Sequence, residues 1–209
     1  MKFVLITLAL VVGAALAAVV LKPRIARAEL LKEGQLAPDF STEMVAGDTI
    51  KPVKLSDFRG KRVVLYFYPK DFTSGCTKEA CAFRDGITRF EQVGAVVLGC
   101  SIDSSDSHRE FIKKYGLPFP LLLDHGKSIA RAYGAANGIP ILGLDSRITY
   151  VIDTDGKILK VYPKVDPSTH PDEILHVLAA APPIAAAPAP SAAPAAPPAA
   201  PAADKGASN

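Results

Sequence analysis

The segment that most constrains the fold of this 209-residue chain is RVVLYFY, at residues 62–68. Its aliphatic, β-branched and aromatic side chains follow one another without alternation, which is typical of a strand buried on both faces of a sheet. Two similar segments lie at residues 95–101 and 148–153, and residues 157–162 follow the third strand across a turn at 154–156. Several buried strands of this kind require a sheet that is covered on each face.

Helical patterns fill the gaps between these strands. They cover about residues 76–92, 105–115, 127–133 and 171–180. Strands that alternate with helices predict an α/β fold, in which a central mixed β-sheet is flanked by helices. Residues 40–57 are predicted to form a short N-terminal β-hairpin.

The chain divides into three parts, of which residues 29–180 have the length of one domain. Three cysteines in the whole chain are too few for a cysteine-rich scaffold or a four-thiolate zinc site. This domain has 19 Lys and Arg against 20 Asp and Glu, so the net charge of +3 comes mainly from basic residues near the N-terminus. The charge therefore gives no indication of a surface for nucleic acid.

An uncharged segment, residues 3–21, lies near the N-terminus between basic residues. It is just long enough to span a bilayer as a helix, and it also has the features of a secretory signal, with an A-x-A site at residues 15–17. We expect residues 1–28 to be a signal peptide or a membrane anchor, and the domain to be exported or anchored, with an extracytoplasmic, periplasmic-type location favoured. The flanking charges leave the orientation open, so an anchor with the domain facing the cytoplasm is an alternative. A buried core helix is another.

The C-terminal segment, residues 181–209, is predicted to be a disordered tail or spacer. Residues 179–203 are almost entirely Ala and Pro. Proline prevents a continuous helix and alanine buries little apolar area, so a segment of this composition does not form a core. An interaction role for the tail is an alternative that the sequence does not specify.

Cys76 is the first candidate for a chemical role. It follows the first buried strand and a loop at residues 69–75, and it lies at the start of the next predicted helix. Sites in open α/β sheets form outside the carboxyl ends of strands. A thiol in the first turn of a helix lies near free amide donors and the positive end of the helix dipole, which stabilise the reactive thiolate. The alternative is a buried structural cysteine.

Cys81 lies five residues further along the same predicted helix. In a helix, residues i and i+5 have Cα atoms roughly 8–9 Å apart and lie about 140° apart around the axis, whereas a disulfide requires a Cα separation below about 7 Å. Cys76 and Cys81 can therefore bond only if the first turns of the helix unwind. This predicts an element that is folded when reduced and locally unfolded when oxidised. Alternatively, the two cysteines are unrelated. The third cysteine, Cys100, lies inside the second strand and is expected to be a buried core residue, with a second disulfide-forming role as the alternative.

The sequence around Cys76 resembles a known family. The motif YFYPKD at residues 66–71, the pattern P-x-x-x-T-x-x-C from Pro69 to Cys76, and TKEAC at residues 77–81 are similar to those of peroxiredoxins, most closely of the Q type, also called bacterioferritin comigratory protein. The resemblance extends from residue 34 to about residue 178. It includes three further motifs: LSDFRGK at 55–61, KYGLPFP at 114–120 and RITYVID at 147–153.

This resemblance implies a thioredoxin-like fold and a thiol-dependent peroxidase, which reduces hydrogen peroxide and organic hydroperoxides to water or alcohols. By its position in the motif, Cys76 is the peroxidatic cysteine and Cys81 the resolving cysteine. An intramolecular Cys76–Cys81 disulfide then forms, and thioredoxin or a thioredoxin-like dithiol protein reduces it. Pro69 would shield the thiolate, Thr73 would hydrogen-bond the peroxide, and Arg147 would support the thiolate and the transition state.

Other features carry weaker expectations. Glu79 matches a frequent family residue, but a solvated helix carboxylate is an equal alternative. Residues 101–107, rich in Ser and Asp, are expected to cap the next helix. No metal, flavin or nucleotide is expected, and the resemblance favours a monomer. The four histidines are expected to be surface or structural residues: His108, His125, His170 and His176.

Three alternatives to a two-cysteine peroxidase stay open at this point. The first is a peroxide sensor or redox relay, in which the oxidised protein signals to a partner. The second is a peroxidase with a one-cysteine mechanism. The third is an envelope tether, in which the Ala- and Pro-rich tail is the working part.

Overall fold

A computed structural model describes residues 29–136 and 144–184 of the chain. Strands alternate with helices in this part of the chain, and seven strands form one mixed sheet. The predictions for residues 1–28 and 185–209 lie outside the described residues. Within the described ranges, no helix has the length and apolar character needed to cross a bilayer.

The sheet has a parallel centre and antiparallel edges. Its strand order is β2-β1-β5-β4-β3-β6-β7, in which β5, β4 and β3 run parallel and β1 and β6 join them antiparallel. The elements follow along the chain in this order: β1 (Ser41–Ala46), β2 (Thr49–Lys54), a short 3-10 helix (Leu55–Phe58), β3 (Arg62–Phe67), α1 (Ser74–Gln92), β4 (Ala95–Ser101), α2 (Ser105–Tyr115), β5 (Leu121–Leu123), α3 (Ser128–Ala132), β6 (Ile148–Ile152), β7 (Ile158–Tyr162) and α4 (His170–Ala180).

The predicted α/β architecture is confirmed, including the N-terminal hairpin, which β1 and β2 form. The predicted strands and helices are all present, and α1 begins at Ser74, slightly before its predicted start. Strand β5, whose three residues pair with β4 and β1, is not among the predicted strands. A strand this short has no periodic pattern, and Pro118 and Pro120 precede it.

Two apolar layers cover the two faces of the sheet. Successive side chains of β3 point to opposite faces. Tyr66 packs with Phe83 of α1 on one face, whereas Phe67 packs with Tyr133 on the other. Burying large apolar side chains of this kind stabilises the fold by about 1.5–3 kcal/mol each. Cys100 belongs to the second layer, and its complete burial, which raises the pKa of its thiol, agrees with the expected core role.

Candidate active site

Cys76 is the third residue of α1, which begins directly after Thr73. Thr73 has an extended backbone, and its carbonyl oxygen accepts the first helical hydrogen bond from the Thr77 amide at 2.9 Å. The amide groups ahead of this bond have no partner in the helix and give its start a positive potential. Cys76 is only 1% exposed. Its thiol is therefore buried next to the positive end of the helix.

Arg147 supplies a positive charge next to this thiol. It immediately precedes β6, which pairs with β3, and its side chain is only 19% exposed. Its Nη2 donates a hydrogen bond to the Cys76 Sγ at 3.1 Å, and its Nη1 donates to the Glu79 carboxylate. Because the planar fork of a guanidinium can hold two acceptors, Arg147 holds the Cys76 sulfur and the Glu79 carboxylate at the same time.

Glu79 holds the other arm of Arg147. It lies one turn after Cys76 on the same side of α1 and is fully buried, so the alternative of a solvated carboxylate is wrong. Its Oε2 accepts the hydrogen bond from Arg147, whereas its Oε1 has no partner within the described ranges. Burial raises the pKa of Glu79 to about 7, against the opposing effect of Arg147. Glu79 therefore both orients Arg147 and changes charge close to neutral pH.

Substitution of Glu79 by glutamine is expected to weaken the pH dependence of stability. The folded-state pKa of about 7 lies above the ordinary value of 4.5, so between these values the folded protein binds more protons than the unfolded chain. Wild-type stability therefore falls as the pH rises through this window, by on the order of 1–3 kcal/mol. Urea unfolding of both proteins at about pH 5 and about pH 8 measures the difference. The Glu91→Gln variant, at an exposed position of the same helix, should keep the wild-type pH dependence; equal pH dependence in wild type and Glu79→Gln would contradict the raised pKa.

The loop between β3 and α1 contributes the remaining candidates. Thr73 is exposed, and its hydroxyl donates to the Lys70 carbonyl oxygen at 3.0 Å, while Pro69 is half-buried. Both lie in the loop that leads to Cys76, but the hydrogen bond recorded to the thiol in the described ranges comes from Arg147. Gly75, which the sequence analysis did not single out, makes room for that contact. A Cβ atom at this position would lie 3.2 Å from Arg147 Nη2.

Cys81 is half-buried in the unbroken helix α1, and both cysteines are free thiols. The intact helix is the reduced form that the spacing predicts. Phe83 follows at full burial, with its ring stacked on Tyr66 at 4.7 Å between centroids. Arg84 donates to the Tyr115 carbonyl oxygen at 2.8 Å. These contacts hold α1 beyond Cys81, so any unwinding that joins the cysteines is confined to its first turns.

The histidines lie outside this site. His108 and His170 are buried in hydrogen bonds, and His125 and His176 are exposed, in agreement with surface or structural roles. Burial lowers the pKa of His170 to about 4, so its ring is neutral near pH 7. Among the described residues, no three His, Cys, Asp or Glu side chains are grouped closely enough to hold a metal ion.

Fold and site together define a class of protein, an α/β domain with a cysteine thiol buried at the start of a helix beside an arginine. Comparisons with known proteins narrow this class. The model of the AhpC/TSA family matches residues 34–161. The chain is 46% identical to the chloroplastic peroxiredoxin Q of Sedum lineare over 147 residues, which cover 70% of this chain and 77% of that protein. It is 43% identical to peroxiredoxin Bcp of Bacillus subtilis over 150 residues, which cover 69% and 93%.

A solved structure agrees with the sequence relatives. Peroxidoxin BcpB from Mycobacterium tuberculosis is similar with a TM-score of 0.65 and 36% identity, over 72% of this chain and 97% of that one. The chain belongs to the AhpC/TSA family. It is a peroxiredoxin, a thiol-dependent peroxidase, and the expected thioredoxin-like fold is confirmed.

Proposed function

We propose that Cys76 is the peroxidatic cysteine. Its thiolate attacks one oxygen of a hydroperoxide, so that an S–O bond forms while the O–O bond breaks. The other oxygen leaves as hydroxide or alkoxide and takes up a proton to give water or an alcohol, and Cys76 becomes a sulfenic acid. The observation that carries this proposal is the 3.1 Å hydrogen bond from Arg147 Nη2 to the Cys76 Sγ.

The neighbouring residues have distinct parts in this step. Negative charge moves from sulfur to the leaving oxygen, and the fixed charge of Arg147 stabilises it throughout. The exposed Thr73 hydroxyl, which now donates to the Lys70 carbonyl, is proposed to bind the peroxide. Pro69 is proposed to shield the thiolate from water. Glu79 keeps Arg147 directed at the thiol through the second arm of the guanidinium.

Cys81 is proposed to resolve the sulfenic acid. Its thiol attacks the Cys76 sulfur, an S–S bond forms and water leaves. The support for this role is its place on the same helix, half-buried, before the contacts that hold the rest of α1. A thioredoxin-like dithiol protein then reduces the disulfide by thiol–disulfide exchange.

The Cys81→Ser variant tests this resolution step. With thioredoxin and its reductase, the wild type is expected to turn over many times, whereas Cys81→Ser consumes at most about three equivalents of peroxide, as Cys76 passes to sulfenic, sulfinic and sulfonic acid, and then stops. NADPH oxidation under excess peroxide measures turnover of the full-length chain. Cys100→Ala, which removes a buried thiol from the other face of the sheet, should continue to turn over. Continued turnover of Cys81→Ser would favour the one-cysteine mechanism, and a wild type that stops after one equivalent would favour the sensor.

We further propose that the protein works as a monomer, exported or anchored through residues 3–21. The support for this location is the uncharged segment with its basic flanks. An exported peroxidase needs an extracytoplasmic reductant because cytosolic thioredoxin does not reach it, whereas an anchored domain facing the cytoplasm uses ordinary thioredoxin. Fractionation with protease treatment of intact and lysed cells distinguishes these locations.

A further inference from the structure

A buried polar cluster holds the loop that leads to Cys76. Asp71, in this loop, is 3% exposed. Its carboxylate accepts hydrogen bonds from the Tyr68 hydroxyl at 2.8 Å and the Ser107 hydroxyl at 2.7 Å, and it lies 2.8 Å from the His108 Nδ1. We call this group the Asp71 cluster: Tyr68, Asp71, Ser101, Asp103, Ser107 and His108.

The cluster also holds the loop by its backbone. The Asp103 Oδ2 accepts a hydrogen bond from the Asp71 amide at 2.9 Å and another from the Ser101 hydroxyl at 2.7 Å. The sequence predicts that this Ser- and Asp-rich segment caps α2, and Ser104 does so by accepting from the Ser107 amide. Asp103 and the Ser107 hydroxyl face the loop instead. Asp71 is therefore held through its amide by a residue after β4 and through its carboxylate by residues of α2.

His108 lies fully buried between two hydrogen-bond acceptors. Its Nδ1 faces Asp71, and its Nε2 lies 3.3 Å from the Leu122 carbonyl oxygen in β5. A carboxylate only accepts hydrogen bonds, so the Nδ1–H of His108 donates to Asp71. Removing this donor leaves a buried Asp71 oxygen with one hydrogen bond fewer, which is costly where water cannot replace it.

The hydrogen bonds to Asp71 hold a loop whose backbone is strained at the next residue. Phe72 has a φ of 61°, in the left-handed region that bulky side chains rarely adopt. Its ring packs edge-on against Phe111 of α2, with 5.1 Å between the ring centroids. Two consecutive residues of the loop are thus held by α2. Without these contacts the loop would relax toward extended backbone and would move Thr73 and Cys76 with it.

We propose that the Asp71–His108 pair controls how readily the first turns of α1 unwind and thereby decides the fate of oxidised Cys76. This inference rests on the proposed function. If α1 unwinds, the Cys81 thiol attacks the sulfenic sulfur, water leaves and the disulfide forms. If α1 stays folded, a second hydroperoxide transfers one oxygen to that sulfur, its O–O bond breaks, and sulfinic acid and water or an alcohol result. Tight hydrogen bonding of the loop at Asp71 favours sulfinic acid, and weaker hydrogen bonding favours the disulfide. His108 is therefore a positioning residue.

The His108→Gln substitution in the full-length chain tests this proposal. The glutamine amide nitrogen takes the place of the ring Nε2, so Asp71 loses the donor at Nδ1 and the loop is held less tightly. At high peroxide without reductant, the ratio of sulfinic acid to disulfide at Cys76 is expected to fall about tenfold, which corresponds to the loss of one hydrogen bond to a charged group. The first oxidation of Cys76 is expected to slow, because the loop holds Thr73 less well. Mass spectrometry measures the ratio and stopped-flow mixing measures the first oxidation.

Three further variants make the result specific. Ser107→Ala removes one donor to Asp71, should shift the ratio in the same direction by a smaller factor, and serves if His108→Gln does not fold. His125→Gln, at an exposed histidine, should leave the ratio unchanged. Ile158→Val lowers stability from the opposite face of the sheet and should also leave it unchanged.

Two outcomes would overturn the inference. One is an unchanged ratio in folded His108→Gln or, if that variant does not fold, in Ser107→Ala. The other is an equal fall in Ile158→Val, which would show that general destabilisation is sufficient. Failure of the proposed function gives a different result, since the wild type would then form neither the Cys76–Cys81 disulfide nor sulfinic acid at Cys76.

Discussion

Replacing Cys76 with serine is expected to abolish peroxide reduction and leave the fold intact. A serine hydroxyl stays protonated near neutral pH and is a poor nucleophile without an adjacent base, and the neighbouring Arg147 is a hydrogen-bond donor. Peroxide consumption is expected to fall by about 10⁴-fold or more, to background. Serine is smaller than cysteine, but its hydroxyl oxygen can accept the hydrogen bond from Arg147, so the thermal midpoint should change by only a few degrees. Peroxide consumption and thermal unfolding, measured on the same preparations, check both parts.

The matched control for this experiment is Cys100→Ala. It also removes a buried thiol, but from the apolar layer on the other face of the sheet, so it should lower stability and retain peroxide reduction. Activity in Cys76→Ser would contradict the assignment and transfer the chemistry to Cys81 or Cys100. Loss of the protein's cellular effect in the same variant would also exclude a tether whose domain is inert.

The thiol could be located from the sequence because the features that define it are local. A buried strand, a short loop and a helix start are each visible in residues 62–92, and together they place Cys76 in the first helical turn. Arg147 is distant along the chain, and only the resemblance to peroxiredoxins pointed to it. The pairing of β6 with β3, which sets Ile148 opposite Phe67, is what brings Arg147 to the end of β3. Strand pairing at this distance has no local sequence signal.

The burial of Glu79 has a signal in the sequence, which is its helical periodicity. Residues i, i+3, i+4 and i+7 of a helix share one face, and counting from Cys76 these are Glu79, Ala80 and Phe83, all buried. A carboxylate among small and apolar neighbours on the inner face of a helix predicts a buried partner, which is Arg147. This periodicity argues against the alternative of a solvated carboxylate.

The Asp71 cluster had no comparable signal. Its members lie at the end of β3, the end of β4 and the start of α2, and they meet because β3 and β4 are parallel neighbours. In the sequence they are ordinary loop and cap residues. Only the tertiary arrangement shows that Asp103 and Ser107 face inward while Ser104 alone caps α2.

Replacing Arg147 with lysine is expected to slow the first oxidation of Cys76 by about 10²–10³-fold, although the positive charge is retained. A lysine ammonium is a single point charge on a flexible stem. It cannot hold the Cys76 thiol and Glu79 together as the two arms of the guanidinium do. The leaving oxygen of the peroxide then loses a fixed donor as its charge develops. Stopped-flow measurement of the second-order rate constant with hydrogen peroxide gives the size of the loss.

A second reagent separates the two effects of Arg147. Alkylation by iodoacetamide needs the thiolate but has no peroxide oxygen to stabilise, so its rate should fall much less than the peroxide rate in Arg147→Lys. An equal fall in the rates with both reagents would show that Arg147 acts only by stabilising the thiolate. Arg109→Lys, in an exposed pair with Asp106, should leave both rates unchanged. An unchanged peroxide rate in Arg147→Lys would contradict the role of the guanidinium fork, because lysine keeps the positive charge but cannot hold both groups at once.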